Sequence, residues 1–331
     1  MKTKNLLLGM GAVCGASFQA IACTGIALTA ADGSYVQSRT IEWARGVLQS
    51  EYVVIPRGQR LRSFTPSGTD GMTFTAKYGV VGLSVVQKEF IAEGINEAGL
   101  SAGLFFFPQY GGYEPYEPAR NDRTLADLQF VAWVLTQFST IDEVKAGIGE
   151  VRIVGLEPAS VVHWRIGEPS GRQVVLEIVG GVPHFYENEI GVLTNAPGFE
   201  WQLTNLNNYV NLYPGDATPP SRFVRAAFYR ATAPQRATGF DTVQQCFHLL
   251  NNFDIPIGIE HPEGECPDIP SATQWTSAID LTNHRVYYKT AYDNTIRCID
   301  LARIDFAKTA YQSHPLDRRR EQPVEQIVIP K

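Results

Sequence analysis

Cysteine, histidine and like-charge runs are scarce in this 331-residue chain, and each scarcity removes a class of function. Five cysteines, no two at CxxC spacing, are too few for a disulfide scaffold or a tight thiolate metal or redox centre. The histidines (His163, His184, His248, His261, His284 and His314) are scattered and form no HExxH, so neither a metal nor a cofactor is expected. His163 lies within an apolar run and reads as a packed strand residue. A net charge of -6 without basic blocks gives no nucleic-acid footprint. No internal repeat, linker or composition break divides the chain. Beyond the first residues no apolar run is long enough to cross a bilayer, so no stable membrane span is expected.

What is present begins with MKTKNLLLGMGAVCGASFQAIA. Lys2 and Lys4 precede a short apolar stretch that closes on Ala20-Ile21-Ala22, the small-x-small pattern of an export signal. Residues 1–22 are therefore read as a cleaved leader and 23–331 as one catalytic domain, exported to the periplasm or secreted from a bacterium. A lipoprotein leader also ends before a cysteine. That reading fits less well, because Ala20 stands where a large aliphatic residue is usual and a strand, not a polar tether, follows.

Hydrophobic residues make up 44% and aromatics 11%, enough for a sizeable core. Glycine-punctuated strands dominate the first hundred residues, led by a hairpin of Cys23–Thr29 and Tyr35–Trp43 around Asp32-Gly33. Further strands are expected near 51–56, 80–86, 90–95, 100–107, 160–166 and 172–179. Tyr110–Arg123 reads as a loop wide enough to rim a pocket. Helical spacing appears over 125–135, 141–148, 223–232 and 242–250. A second hairpin joins Thr273–Asp280 to Arg285–Thr290, and Arg318-Arg319-Arg320 opens a solvated tail. One compact α/β unit with antiparallel sheets results.

Cleavage after Ala22 would make Cys23 the N-terminus, placing a thiol and an α-amine on one residue. That amine, with a reference pKa near 7.7–8.0, can serve as the base that a histidine supplies elsewhere. The thiol needs positive potential nearby to ionise at neutral pH. Arg39, on the returning strand of the first hairpin, can lie beside it, facing inward with Ile41. Strand alternation makes Glu42 a weak match for that face unless the strand is locally irregular.

Cys23-Thr24-Gly25, Arg39 with Glu42, Asn195 in LTNAP and the segment Pro220–Arg225 together resemble the choloylglycine hydrolase family. That family contains bile salt hydrolases and penicillin V acylases and belongs to the N-terminal-nucleophile hydrolases. The similarity continues through Trp164–Gly171 and the 276–288 region. The resemblance implies an α+β fold, a four-layer αββα sandwich of two mainly antiparallel sheets. It implies Cys23 as nucleophile, Arg39 beside it, Glu42 at the position of the family's usual aspartate, Asn195 as oxyanion donor and Arg222 as a further active-site arginine. Phe105 stands where relatives often carry a polar Asn or Tyr, so a backbone N–H is expected to complete the oxyanion site.

The activity implied is hydrolysis of a linear amide through a cysteine thioester, on a small molecule with an apolar acyl group. Phe105, Phe106, Phe107 and Trp201 are the aromatic candidates for binding it. Glycine- or taurine-conjugated bile salts are preferred over penicillin V or other acyl amides of the acyl-homoserine lactone type. A lipid-anchored structural protein and a non-catalytic binder of such molecules are the readings from other classes. The connection from Asn205 to Pro220 is shorter than one that braces tetramers in many relatives; a homo-oligomer, dimer or tetramer, is an open expectation.

Overall fold

The structure is a computed structural model and describes residues 22–157, 161–209, 213–261 and 264–330. The expected leader lies outside the described residues except for Ala22. Strands β1 (Cys23–Thr29), β2 (Tyr35–Glu42), β3 (Glu51–Ile55), β4 (Arg60–Arg62), β5 (Thr73–Thr75), β6 (Val80–Val85), β7 (Gln87–Asn96) and β8 (Ser101–Phe106) fill the first third. The short β9 (Thr124–Ala126) leads to helices α1 (Phe130–Gln137) and α2 (Ile141–Gly147). Next come β10 (Arg152–Val154), β11 (Val162–Gly167), β12 (Gln173–Val179), β13 (Val182–Glu187) and β14 (Val192–Leu193). Helices α3 (Phe199–Leu206), α4 (Pro219–Thr232), α5 (Gly239–Leu250) and α6 (Ile257–Glu260) precede β15 (Thr273–Asp280), β16 (Arg285–Thr290), β17 (Arg297–Asp300) and β18 (Gln312–Pro315).

Two large antiparallel sheets carry the fold. One has the order β14-β1-β2-β15-β16-β17, the other β13-β12-β11-β8-β7-β6-β3-β18. Helices α4 and α5 pack on the outside of the first sheet and α1 on the outside of the second, giving an α+β sandwich of four layers. The first hairpin forms as the sequence predicts, pairing Cys23 with Ile41 through to Thr29 with Tyr35. Its turn uses Gly33 at φ +86, where a glycine carries no Cβ penalty, and Asp32 Oδ1 accepts from the Ser34 N–H.

Strand β2 is central, flanked by β1 and β15 and covered on both faces, so all eight of its residues are buried. Polar Gln37, Arg39, Thr40 and Glu42 consequently lie in the interior, which obliges each to find partners there. The helix expected from Leu125 begins only at Phe130, because Thr124–Ala126 extends to pair in parallel with Arg152–Val154. Helix α4 starts earlier than expected, at Pro219; a proline suits the first helical turn because its missing N–H would have no partner there. The 110–123 loop is tied down: Tyr113 Oη donates to the Val162 carbonyl and accepts from its N–H, and Arg152 reaches Glu114 and Glu117. Cys23, Cys246, Cys266 and Cys298 are all free thiols. No described helix is long and apolar enough to cross a membrane.

Candidate active site

The start of β1 meets the end of β2 and the loop after β14, and the side chains that converge there are Cys23, Arg39, Glu42, Asn195 and Arg222. Cys23 is only 1% exposed. Arg39 Nη2 donates to its Sγ at 2.8 Å, and the Cys23 N–H donates to Asn195 Oδ1 at 2.7 Å. Burial pushes the thiol pKa up; Arg39 and Arg222 pull it down, Glu42 pushes it up, and a hydrogen bond from Asn195 pulls it down. Arg39 is thus the leading stabiliser of the thiolate against desolvation.

Arg222, carried by α4, spreads its guanidinium over this corner. Nη1 donates to the Cys23 carbonyl and to Thr24 Oγ1, Nη2 to Asn195 Oδ1 at 2.8 Å, and Nε to the Ala217 carbonyl. By binding Oδ1 it dictates which way the Asn195 amide faces. Asn195 Nδ2 then donates to the Phe106 carbonyl at 2.9 Å, and its second N–H is left to serve the Cys23 sulfur and any oxyanion formed beside it. The Thr194–Pro197 turn is clamped in place by Gln202 of α3, which donates to the Asn195 and Pro197 carbonyls, while the Thr194 hydroxyl donates to Gln202 Oε1.

Glu42 ends β2 one residue past Ile41, the partner of Cys23, and the neighbouring strand is irregular beside it. The register of β15 shifts between Thr273 and Trp275, opposite Glu42 and Ile41, so Thr273 Oγ1 reaches Glu42 Oε1 at 3.2 Å. Glu42 Oε2 is buried with no partner. Burial raises the carboxyl pKa to about 8, against the opposing pull of Arg222, Thr40, Arg39 and Thr273. The Ala22 carbonyl, accepting from the Glu42 N–H at 2.9 Å, and the buried Ala22 side chain occupy the adjoining space.

The aromatic candidates are distributed differently. Phe105 is fully buried, its ring 4.2 Å beneath the Arg39 guanidinium and edge-on to His163. Phe107 is buried and stacks on His163. Phe106 is half-buried and offers its carbonyl to Asn195, while Trp201 is 51% exposed on α3. His163 is buried in β11, with Nε2 at 2.9 Å from the Thr194 carbonyl and Nδ1 at 3.2 Å from Glu177. Buried Glu93 and Arg165, on β7 and β11, escaped the sequence reading although they pair at 2.8 Å directly behind Arg39. Among the described residues no group of three or more His, Cys, Asp or Glu side chains is placed to hold a metal.

The family model for linear amide C–N hydrolases, choloylglycine hydrolase family, matches residues 23–310. A bile salt hydrolase/transferase of Clostridium perfringens is 30% identical over 312 residues, covering 84% of this chain and 92% of that protein. A penicillin V acylase of Pectobacterium atrosepticum is 25% identical over 85% of this chain and 81% of its own length. A variant of conjugated bile acid hydrolase from Clostridium perfringens, solved as a crystal structure, superposes with a TM-score of 0.78. It is 26% identical, and the match covers 92% of this chain and all of that one. With the family model spanning nearly the whole sandwich and a cysteine at its first matched position, this chain belongs to the choloylglycine hydrolases and is an enzyme that cleaves linear amide bonds.

Proposed function

We propose that the chain is exported, processed to begin at Cys23, and hydrolyses glycine- or taurine-conjugated bile salts through a Cys23 thioester. The observation that carries this reading is the placement of Cys23: its sulfur lies 2.8 Å from Arg39 Nη2 while its nitrogen lies against Asn195. Cleavage turns that nitrogen into an α-amine. It also removes Ala22, which fills a small apolar cluster with Ala44, Ile255 and Ala272. The unpartnered Glu42 Oε2 is then available to the new ammonium.

In the reaction the amine takes the thiol proton, Arg39 stabilises the thiolate, and sulfur attacks the amide carbon. Asn195 Nδ2 and a main-chain N–H receive the developing oxyanion. The protonated amine donates to the departing nitrogen, releasing glycine or taurine, and water hydrolyses the thioester to free the acid. The preference for bile salts rests on the similarity to a bile salt hydrolase/transferase and to the conjugated bile acid hydrolase structure of Clostridium perfringens.

The test is to incubate purified mature protein with taurocholate, glycocholate and penicillin V and to measure released amine or acid, with Cys23→Ala as control. The expected outcome is fastest release from a bile salt and none from the folded variant. Faster cleavage of penicillin V would reassign the substrate. Near-normal turnover by Cys23→Ala would sink the mechanism, and an acylated Cys23 in the intact mass would return the lipid-anchored reading.

A further inference from the structure

Behind Arg39 the two sheets enclose a chain of charge that includes no exposed atom of note. Arg165 projects from β11 across the sandwich, where Nη1 donates to the Ile26 and Ser38 carbonyls of β1 and β2 at 3.3 and 3.2 Å. Its Nη2 donates to Glu93 Oε1 at 2.8 Å, and Glu93 Oε2 faces Arg39 Nη1 at 3.7 Å with no hydrogen bond of its own. Arg39 uses four of its five N–H groups: Nε on the Thr40 carbonyl, Nη1 on the Ala92 and Leu104 carbonyls, and Nη2 on Cys23 Sγ. The Phe105 ring closes the face of its guanidinium.

Two glycines make room for this arrangement. A Cβ on Gly103 would lie 2.0 Å from Glu93 Oε2, and one on Gly25 would lie 2.9 Å from both Arg165 Nη1 and the Phe105 ring. Two arginines share one carboxylate, so Arg39, Arg165 and Glu93 carry one net positive charge in a place that water does not reach. Isolated buried charge is costly, and the nearest group able to balance it is the Cys23 thiolate. Glu42 and Arg222 also act electrostatically on that sulfur, as would the amine of a chain beginning at Cys23.

We propose that Glu93 and Arg165 are positioning residues of the reaction, the Arg165–Glu93 pair bracing the two sheets so that Arg39 stays on the Cys23 sulfur. Neither touches substrate. The inference rests on Cys23 being the nucleophile.

Glu93→Gln separates positioning from a simple field effect. Removing a negative charge near the sulfur would, through the field alone, move Cys23 ionisation to lower pH. Release of Arg39 moves it to higher pH. The midpoint of Cys23 alkylation by iodoacetamide against pH should therefore rise in Glu93→Gln. Its kcat should fall at least tenfold, with KM changed less than about threefold. In an Arg39→Lys background the same substitution should cost less than about twofold more. Arg165→Lys keeps the charge but loses the fork, so it should raise the alkylation midpoint too, and it carries the test if Glu93→Gln does not fold. A midpoint that falls or stays, or an equal Glu93→Gln loss in the Arg39→Lys background, overturns the proposal. If Cys23→Ala is inactive but these variants behave as the parent, positioning fails while the nucleophile stands; an active Cys23→Ala removes both.

Discussion

If the chain is processed as proposed, Glu42 is the residue whose charge state should change most. While Ala22 is attached, its carboxyl lies buried with one oxygen unpartnered and titrates near 8, against an ordinary value of 4.5. The folded chain then holds a proton that the unfolded chain has released. Stability from this group is complete below about pH 4.5 and declines as the pH rises through the window to about 8. The ceiling on the loss is roughly 5 kcal/mol. For a form that retains Ala22, urea unfolding at pH 5 and pH 8 should show that decline, and Glu42→Gln should flatten it. In a form that begins at Cys23, an ammonium there would stabilise the carboxylate, so the slope should be shallower. An identical slope in the Gln variant would assign the decline to other groups, Asp127 foremost, since burial raises its pKa to about 7.

At the scale of elements, the close approach of β1 and β2 to β7, β8 and β11 is what brings the charges together. That approach depends on Gly25 and Gly103, which leave space for Phe105, Arg165 and Glu93. Gly103→Ala should force Glu93 off its place, cost about 1–3 kcal/mol in chemical unfolding, and lower kcat more than the stability loss explains. A variant of parent stability and activity would contradict the packing described.

The same elements show what the sequence made legible. Cys23, Arg39, Asn195 and Arg222 stand in short motifs at recognisable intervals, and the structure brings all of them together. Glu42 could be named but not placed, because its hydrogen-bond partner Thr273 lies 231 residues away on β15, beside a register shift. Glu93 and Arg165 were hidden for a related reason: one charged residue in a strand looks solvated until the second sheet is known to cover it. The helix at Phe199–Leu206 follows directly on a turn and has too short an apolar pattern to stand out. Phe105 was expected to touch substrate by its neighbourhood in sequence, and alternation along β8 instead points it at Arg39.

Across the whole molecule, the sandwich works as a frame that seals a cysteine and its supporting charges at one end of two sheets. A cavity of about 770 Å³ lined by Tyr52, Tyr288, Arg297 and Arg319 lies elsewhere, between β16, β17 and the C-terminal segment, and includes none of the residues around Cys23. In the proposed mechanism activity is conditional on the nitrogen of Cys23 being a free amine. The most direct measurement is taurine release from taurocholate by two purified forms of the protein, one beginning at Cys23 and one in which Ala22 is retained, each verified by intact mass. Turnover confined to the form that begins at Cys23 is the predicted result, and equal turnover by the form bearing Ala22 would contradict the account.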